Sequence, residues 1–456
     1  MRYIGFWLVM VSVFFVGPDL AGAEKPPVLA WGDLRGHVMP CGCDPLTDMG
    51  GIARIGRGLE RWRALRPLLI TVDLGQNTDE VGGDLLKSQT IVRAMARWRA
   101  DATLLNRAEY ALLKKIHGPW KKHGRALAFV LSNSLDPLPA GVKRARVKHR
   151  TLIMGYTEGL PVSRSWSPEL RRSWEAAFLK NKKSTDRRLL LFAGKPATAA
   201  AIAATGLFDR IILSSTLPAD AEPDKLERDE PGRLVTDAGM MVPSFGQGML
   251  LLDDRKPVLG SAAPTCPPGG MPTLDKGSCR SDDLLGAGGP VIWLDRSYKD
   301  DGVFDDLLAW YRHAEAGRFQ QAGREREKDL KNSPFAGAEA CRTCHAVAFS
   351  QWQKSAHAGA LVTLEKKQLH ENAECVSCHV VGWHDKGGFV SRQASPWLAG
   401  VQCENCHGPR RRHVADPLAS TKGALRGSAA GACAACHNAT HSPTFDFDSF
   451  WKRIAH

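Results

Sequence analysis

Between Val28 and about Asp254 the chain alternates short apolar runs with amphipathic segments. Val28–Trp31, Leu68–Val72, Leu127–Leu131, Leu189–Phe192 and Ile211–Leu213 have the length and residue types of buried strands. Helical patterns lie between them. The clearest is Ile52, Ile55, Leu59, Trp62 and Leu65, an apolar stripe with Arg54, Arg57, Arg61 and Arg63 mostly off it; Gly50-Gly51 precede it and Pro67 follows. This alternation predicts a layered α/β domain without internal repeats. A last strand is expected at Val291–Leu294, then a solvated connecting helix over 303–331 ending in the charge-rich Arg324–Lys331; Pro334 opens the next domain.

The ends of this pattern differ from its middle. Residues 1–23 read as a cleaved secretory signal: Arg2, an apolar run from Ile4 to Val16 broken by Gly5 and Ser12, then small Ala21-Gly22-Ala23 before Glu24. The run is shorter than the roughly 20 residues of a membrane span, so an uncleaved anchor is the lesser reading. The mature chain is expected to be soluble and periplasmic. With 456 residues, two or three domains are expected; 43% hydrophobic and 24% charged residues exclude a largely disordered or collagenous chain. The formal charge of +13 invites a nucleic-acid reading, but the basic residues form no single block and the cysteines point elsewhere.

Five of the fifteen histidines precede residue 340 and ten follow it; four of the twelve cysteines precede Cys341 and eight begin there. Those eight fall into Cys341-Arg-Thr-Cys344-His345, Cys375-Val-Ser-Cys378-His379, Cys403-Glu-Asn-Cys406-His407 and Cys433-Ala-Ala-Cys436-His437. Each is C-x-x-C-H, the attachment motif of covalent c-type haem: two thiols add to the haem vinyl groups and the next residue becomes the proximal iron ligand. Paired zinc sites are the alternative, but zinc does not require a histidine after every second cysteine. The expectation is four haems with proximal His345, His379, His407 and His437. Their eight propionates would lower the formal +13 to about +5, so part of the Lys and Arg excess serves as counterions.

Six histidines remain for the distal faces: His357, His370, His384, His413, His441 and His456. His357 follows His345 by twelve residues. On a helix that is about 18 Å, too far for the same haem and suited to a neighbour. Cross-ligated, stacked haems are therefore expected, supplying much of the core in a region poor in apolar sequence. His456 is the choice for the His437 haem; His441, four residues from His437, is badly placed for the opposite face.

The stretches Cys341–His345 with Trp352 and Ser355-Ala-His357, and Val401–Pro409 with His413, resemble the tetrahaem cytochromes of the hydroxylamine-oxidation pathway in nitrifying bacteria. The resemblance covers about 335–456. It implies that His357 is distal ligand to the His407 haem, that His413 serves the His345 haem, and that the His379 haem is five-coordinate, although His370 and His384 lie nearby in sequence.

The first domain carries Asp33-Leu-Arg35-Gly-His37, Cys41-Gly-Cys43, Gly50-Gly51 and Asp73-Leu-Gly75-Gln76. It resembles the calcineurin-like metallophosphoesterases of the secreted 5′-nucleotidase branch, over about 28–254, which implies a β-sandwich flanked by helices. That family clamps phosphate esters between two metals. Here Arg35 stands for the histidine of the Asp-x-His motif, Gln76 for a bridging carboxylate, and Arg107 after Asn106 for another histidine; Leu213-Ser214-Ser215-Thr216 has none. A degenerate, noncatalytic site is expected. Cys41 and Cys43 are either a structural pair or a redox or metal-binding pair, with His37 nearby. Cys266 and Cys279, in the Gly/Pro-rich loop 255–290, are expected to form a disulfide.

The expected division is a signal at 1–23, a phosphoesterase-like domain at 24–297, a helical linker at 298–333 and a small, mainly α-helical multihaem cytochrome c domain at 334–456. The expected role is electron transfer between periplasmic or membrane-bound redox partners. The alternative is an enzyme, acting at an open His379 haem on a small nitrogen or sulfur species, or hydrolysing an ester in the first domain.

Overall fold

The computed structural model describes residues 25–40, 48–78, 83–115, 127–134, 137–138, 141–181, 184–214, 235–236, 239–242, 246–253, 291–298, 302, 304–418, 428–438, 441–442 and 444–456. The signal segment, Cys41, Cys43, Cys266, Cys279 and the loop at 255–290 lie outside them.

Among the described residues the first domain has twelve strands: β1 Val28–Trp31, β2 Ile70–Asp73, β3 Ala102–Leu104, β4 Phe129–Val130, β5 Ala145–Lys148, β6 Thr151–Thr157, β7 Arg187–Ala193, β8 Arg210–Leu213, β9 Val235–Thr236, β10 Gly239–Met241, β11 Gly248–Leu252 and β12 Val291–Trp293. They form two six-stranded sheets, ordered β12-β11-β1-β2-β3-β4 and β5-β6-β7-β8-β10-β9. In the first, β1 to β4 run parallel and β11 pairs antiparallel to β1. In the second, β6, β7, β8 and β10 are parallel. The helices are α1 Ile52–Leu65, α2 Leu85–Trp98, α3 Arg107–Lys115, α4 Pro168–Asn181 and α5 Pro196–Ala203.

The sheets pack face to face, with helices outside. Val28, Ala30, Ile70, Val72, Leu104, Ile153, Leu191 and Ile212 fill the layer between them. Alternate residues of the same strands face outward: Leu29 and Trp31 meet Ile52, Ile55, Leu59 and Trp62 of α1 and Ile91 and Met95 of α2. On the far side, Met154, Tyr156, Leu190 and Phe192 meet Trp174 and Ile202. Strands buried on both faces read as continuous apolar runs rather than alternating ones. The layered α/β fold expected from the sequence is present.

Helix α6, Asp305–Glu327, departs from the solvated connector expected from its charge. Its first half buries Leu307, Leu308 and Tyr311 in the first domain, and its second half buries Phe319 in the C-terminal core. Phe319 stacks on Trp383 at 5.1 Å, and Arg326 lies over the same indole. The charged residues occupy the rest of the helix surface.

The C-terminal region holds short helices: α7 Ala346–Gln353, α8 Ala360–Lys366, α9 Ala373–Ser377, α10 Cys403–His407, α11 Arg411–Ala415, α12 Ala429–Ala434 and α13 Phe447–Ile454. Its own core is small, nine buried residues around Phe335, Leu361, Val376, Val380 and Phe389. No helix among the described residues is long and apolar enough to cross a membrane.

Candidate haem-binding site

The four C-x-x-C-H segments stand in a definite spatial order. Cys341 lies beside Cys403, and Cys378 beside Cys436. Cys406 lies near Cys433, because α10 packs on α12. The segments therefore run first, third, fourth, second.

Three pairs of imidazoles face one another: His345 and His413 at 6.4 Å between ring centroids, His357 and His437 at 6.2 Å, and His407 and His456 at 5.8 Å. One iron between two imidazoles needs about 6 Å, from two metal–nitrogen bonds of about 2 Å and about 1 Å from each centroid to its ligating nitrogen. The spacing fits. His413 faces His345, the pairing that the resemblance implies. His357 faces His437 and not His407, and His456 faces His407 and not His437, so these two rings stand opposite other partners than the sequence reading expects. The fourth segment, lying between the second and third, puts His437 within reach of the α7–α8 turn that carries His357. The chain end is carried by α13 beside α7, where Gln351 Nε2 donates to Ala455 O at 2.9 Å.

Several rings are held by Nδ1, which leaves Nε2 for a metal. His379 Nδ1 meets Ala360 O at 2.7 Å, His437 Nδ1 meets Ser442 Oγ at 3.1 Å, and His456 Nδ1 meets Ile454 O at 3.0 Å. Burial lowers the pKa of His357 and His437, helped at His357 by the nearby His437 and His379. Both are thereby kept in the neutral, ligating form. Among the described residues no second imidazole ring faces His379.

The second and fourth segments line a cavity of about 2140 Å³ that also exposes His357 and Cys406. That volume is more than twice the upper end of the 300–1,000 Å³ usual for one small ligand. The thiols, the paired imidazoles and this cavity all fit haem.

Residues beyond the attachment positions hold the third segment in place. Glu404, 1% exposed, accepts backbone N–H groups from Gly337 at 2.8 Å, Ala336 at 3.0 Å and Arg410 at 2.7 Å. Asn405 Nδ2 donates to Val380 O at 2.8 Å, and Gln402 Oε1 accepts from Ala338 N at 2.6 Å. Sequence reasoning used this stretch only for its resemblance and gave these side chains no role, because Glu404 and Asn405 occupy the variable positions of the motif and Gln402 precedes it.

In the first domain Arg35 forks onto Asp33, Nε to Oδ1 at 2.9 Å and an Nη to Oδ2 at 3.1 Å. Asp33 is fully buried, and its carboxylate is thereby committed to a guanidinium. Gln76 sits at φ 58° after Gly75, where a Cβ would fall 2.5 Å from Leu104 O. Asn106 Oδ1 caps Arg107 N at 2.8 Å, and Ser214 is buried. Among the described residues no group of three or more His, Cys, Asp or Glu side chains could hold a metal ion. These residues do not fit a two-metal clamp.

Residues 340–408 match the family described as cytochrome c554 and c-prime. Cytochrome c-554 of Nitrosomonas europaea is 36% identical over 100 residues, which span 19% of this chain and 43% of that protein, so less than half of the relative's length is matched. The C-terminal region is thus similar to cytochromes c554, and its C-x-x-C-H segments are attachment motifs of c-type haem. For the larger part of the chain, similar solved structures include a 5′-nucleotidase precursor from Thermus thermophilus, 14% identical, with a TM-score of 0.41 and coverage of 63% of this chain and 58% of that one. Another is the calcineurin-like phosphoesterase YfkN from Bacillus subtilis, 13% identical, with a TM-score of 0.33 and coverage of 50% and 83%.

Proposed function

We propose that the protein is a periplasmic tetrahaem cytochrome that carries electrons between redox partners, with a noncatalytic phosphoesterase-like module. The observation that carries this reading is the spacing of the three imidazole pairs, 5.8 to 6.4 Å, each suited to one iron. Bound c-type haem supplies a one-electron carrier. The protein's part is to hold it: Cys341, Cys344, Cys375, Cys378, Cys403, Cys406, Cys433 and Cys436 anchor the four groups, and His345, His379, His407 and His437 approach from one side. His413, His456 and His357 approach three of them from the other, so those irons have no position left for substrate. The spatial order of the attachment segments supports a continuous path from the first to the second.

The signal reading of residues 1–23 supports export. The Arg35–Asp33 pair supports a domain that docks or scaffolds rather than hydrolyses. A second reading, redox catalysis on a small species, is favoured by one observation, the lack of a facing imidazole at His379 among the described residues. The test is haem counting on the purified full chain with a reduced pyridine adduct, together with haem staining after denaturing electrophoresis. Four haems that stay with the denatured chain are expected. Two or fewer, or zinc in their place, would overturn the reading.

A further inference from the structure

A second cavity lies in the first domain, on the outer side of the second sheet beside α4. Its volume is about 270 Å³. Helix α4 turns Leu170, Ser173, Trp174 and Ala177 toward it, positions i, i+3, i+4 and i+7 of one helical face. Three of these four are apolar, as a face packed on a sheet requires; Ser173 is the exception. Leu152 and Met154 of β6 form the opposite wall. Asp33, Asp73 and the haem segments are not among the residues that line it.

The polar side comes from the stretch after β4 and from two arginines tied to it. Ser132 and Ser134 line the cavity and are buried, with Asn133 between them. Arg144 Nη1 donates to Ser134 O at 3.0 Å and to Ser134 Oγ at 2.9 Å, and Ser132 Oγ donates to Arg144 O. Arg164 N donates to Asn133 O at 2.6 Å, and Asn133 Nδ2 donates to Arg164 O at 2.9 Å. The same three residues thus hold both arginines, and both arginines line the cavity. No carboxylate is among the described residues that line it. Among the described residues the guanidinium of Arg164 makes no hydrogen bond or ion pair.

Two guanidiniums beside an apolar wall give the cavity a positive potential that no lining carboxylate balances. An arginine fork matches the two oxygens of a carboxylate. A water's share of the liquid is about 30 Å³, so the space equals about nine waters and suits a small ligand. The geometry points to a binding site for a small organic carboxylate, with its oxygens on Arg164 beside the charge of Arg144 and its apolar body against Met154, Leu170 and Trp174. An inorganic oxyanion would use only the polar half. The site is independent of the tetrahaem reading, which haem counting tests on its own.

The experiment uses the full haem-loaded chain with sodium benzoate as the probe, followed by isothermal titration calorimetry. One benzoate per chain should bind, with a Kd of about 1 mM or less. The Soret band should not move, which separates this site from binding at iron. Benzamide keeps the ring but has no charge, and should bind about tenfold more weakly or worse. Arg164→Ala should weaken benzoate by about tenfold or more, and Arg164→Lys, which keeps the charge without the fork, should recover part of the loss. Ser173→Trp, made at an exposed position of α4, should fill the cavity and abolish binding with circular dichroism unchanged. The comparison with benzamide uses the unmodified chain and decides the question if a variant does not fold. No binding up to about 10 mM benzoate, equal affinity for benzamide, or affinity indifferent to both Arg164→Ala and Ser173→Trp would overturn the inference.

Discussion

Glu404 lies between the two cysteines of the third haem segment, and its carboxylate is the acceptor for three backbone N–H groups from two other stretches of chain. Replacing it with alanine removes all three acceptors at once. The Gly337 donor is buried and the Ala336 and Arg410 donors are partly buried. A buried donor left without a partner costs about 1 to 3 kcal/mol, and hydrogen bonds to a charged acceptor lie at the upper end of the scale. Water entering the space left by the side chain recovers part of this at the two more open donors. Glu404→Ala should therefore destabilise the C-terminal domain by about 3 kcal/mol or more. Glu404→Gln keeps one oxygen but turns an NH2 group toward N–H donors, so it should cost somewhat less. The assay is a urea titration of the full chain followed at the Soret band, where loss of histidine ligation marks unfolding of this domain alone. Haem content should stay at the unmodified level, since the thioether bonds do not depend on the fold once made. A loss below about 1 kcal/mol in Glu404→Ala would refute the claim that this carboxylate ties residues 336–337 and 410 to the third segment.

The distal ligands can be assigned by combination. His357→Ala, His456→Ala and His413→Ala should each give one high-spin haem; in a Cys433→Ala/Cys436→Ala background His357→Ala should give none while His456→Ala still does, and the opposite result would restore the pairing expected from sequence. Asp73 is fully buried, and burial first, then the charge of Glu109, holds its carboxyl up at about 7 against the hydrogen bonds of Asn77 and Gly75. A carboxyl raised in the folded state contributes stability that is complete below its unfolded value, about 4, and is lost as pH rises through about 7; Asp73→Asn should flatten the fall in first-domain stability between those values, read by denaturation followed by circular dichroism, and an unchanged slope would count against it. The full chain should not hydrolyse a generic phosphodiester with added manganese or zinc, because Arg35 occupies the Asp33 carboxylate; metal-dependent turnover abolished by Asp33→Ala would show that the guanidinium gives way to metal.

The C-x-x-C-H segments were legible because covalent attachment fixes three residue types within a run of five and leaves a local signature. It carried β1 to the residue, and the apolar runs at Leu189–Phe192 and Ile211–Leu213 fall within β7 and β8. Strands β3, β5, β6 and β11 were not legible. Ala102–Leu104 is three residues long, and Thr151–Thr157 has Gly155 in its middle, where a Cβ would meet Val130 O at 2.7 Å. The histidines that face a motif histidine were legible only as a set. Spacing along a helix says how far His357 is from its own haem, but not which neighbour stands there. That depends on the order first, third, fourth, second, which arises from contacts such as Cys406 with Cys433 that no local pattern encodes.

Helix α6 shows why charge content alone misjudged the relation between the two domains. A helix of 23 residues is long enough to offer separate burial surfaces along its length. Leu307, Leu308 and Tyr311 lie about one turn apart near its start, and Phe319 follows two turns later, facing the other core. Between them Arg318 forks onto Asp84, which also caps α2, at 2.8 and 3.0 Å, and Gln320 donates to Glu371 at 2.8 Å. The polar side chains that make the segment look solvated thus include ones that bind it to both domains. A connector buried at both ends acts as a strut, and a strut fixes the position of one domain's loop against the other domain's cavity. The Lys87–Glu374 pair and the Phe319–Trp383 stack tie the two domains and the helix together.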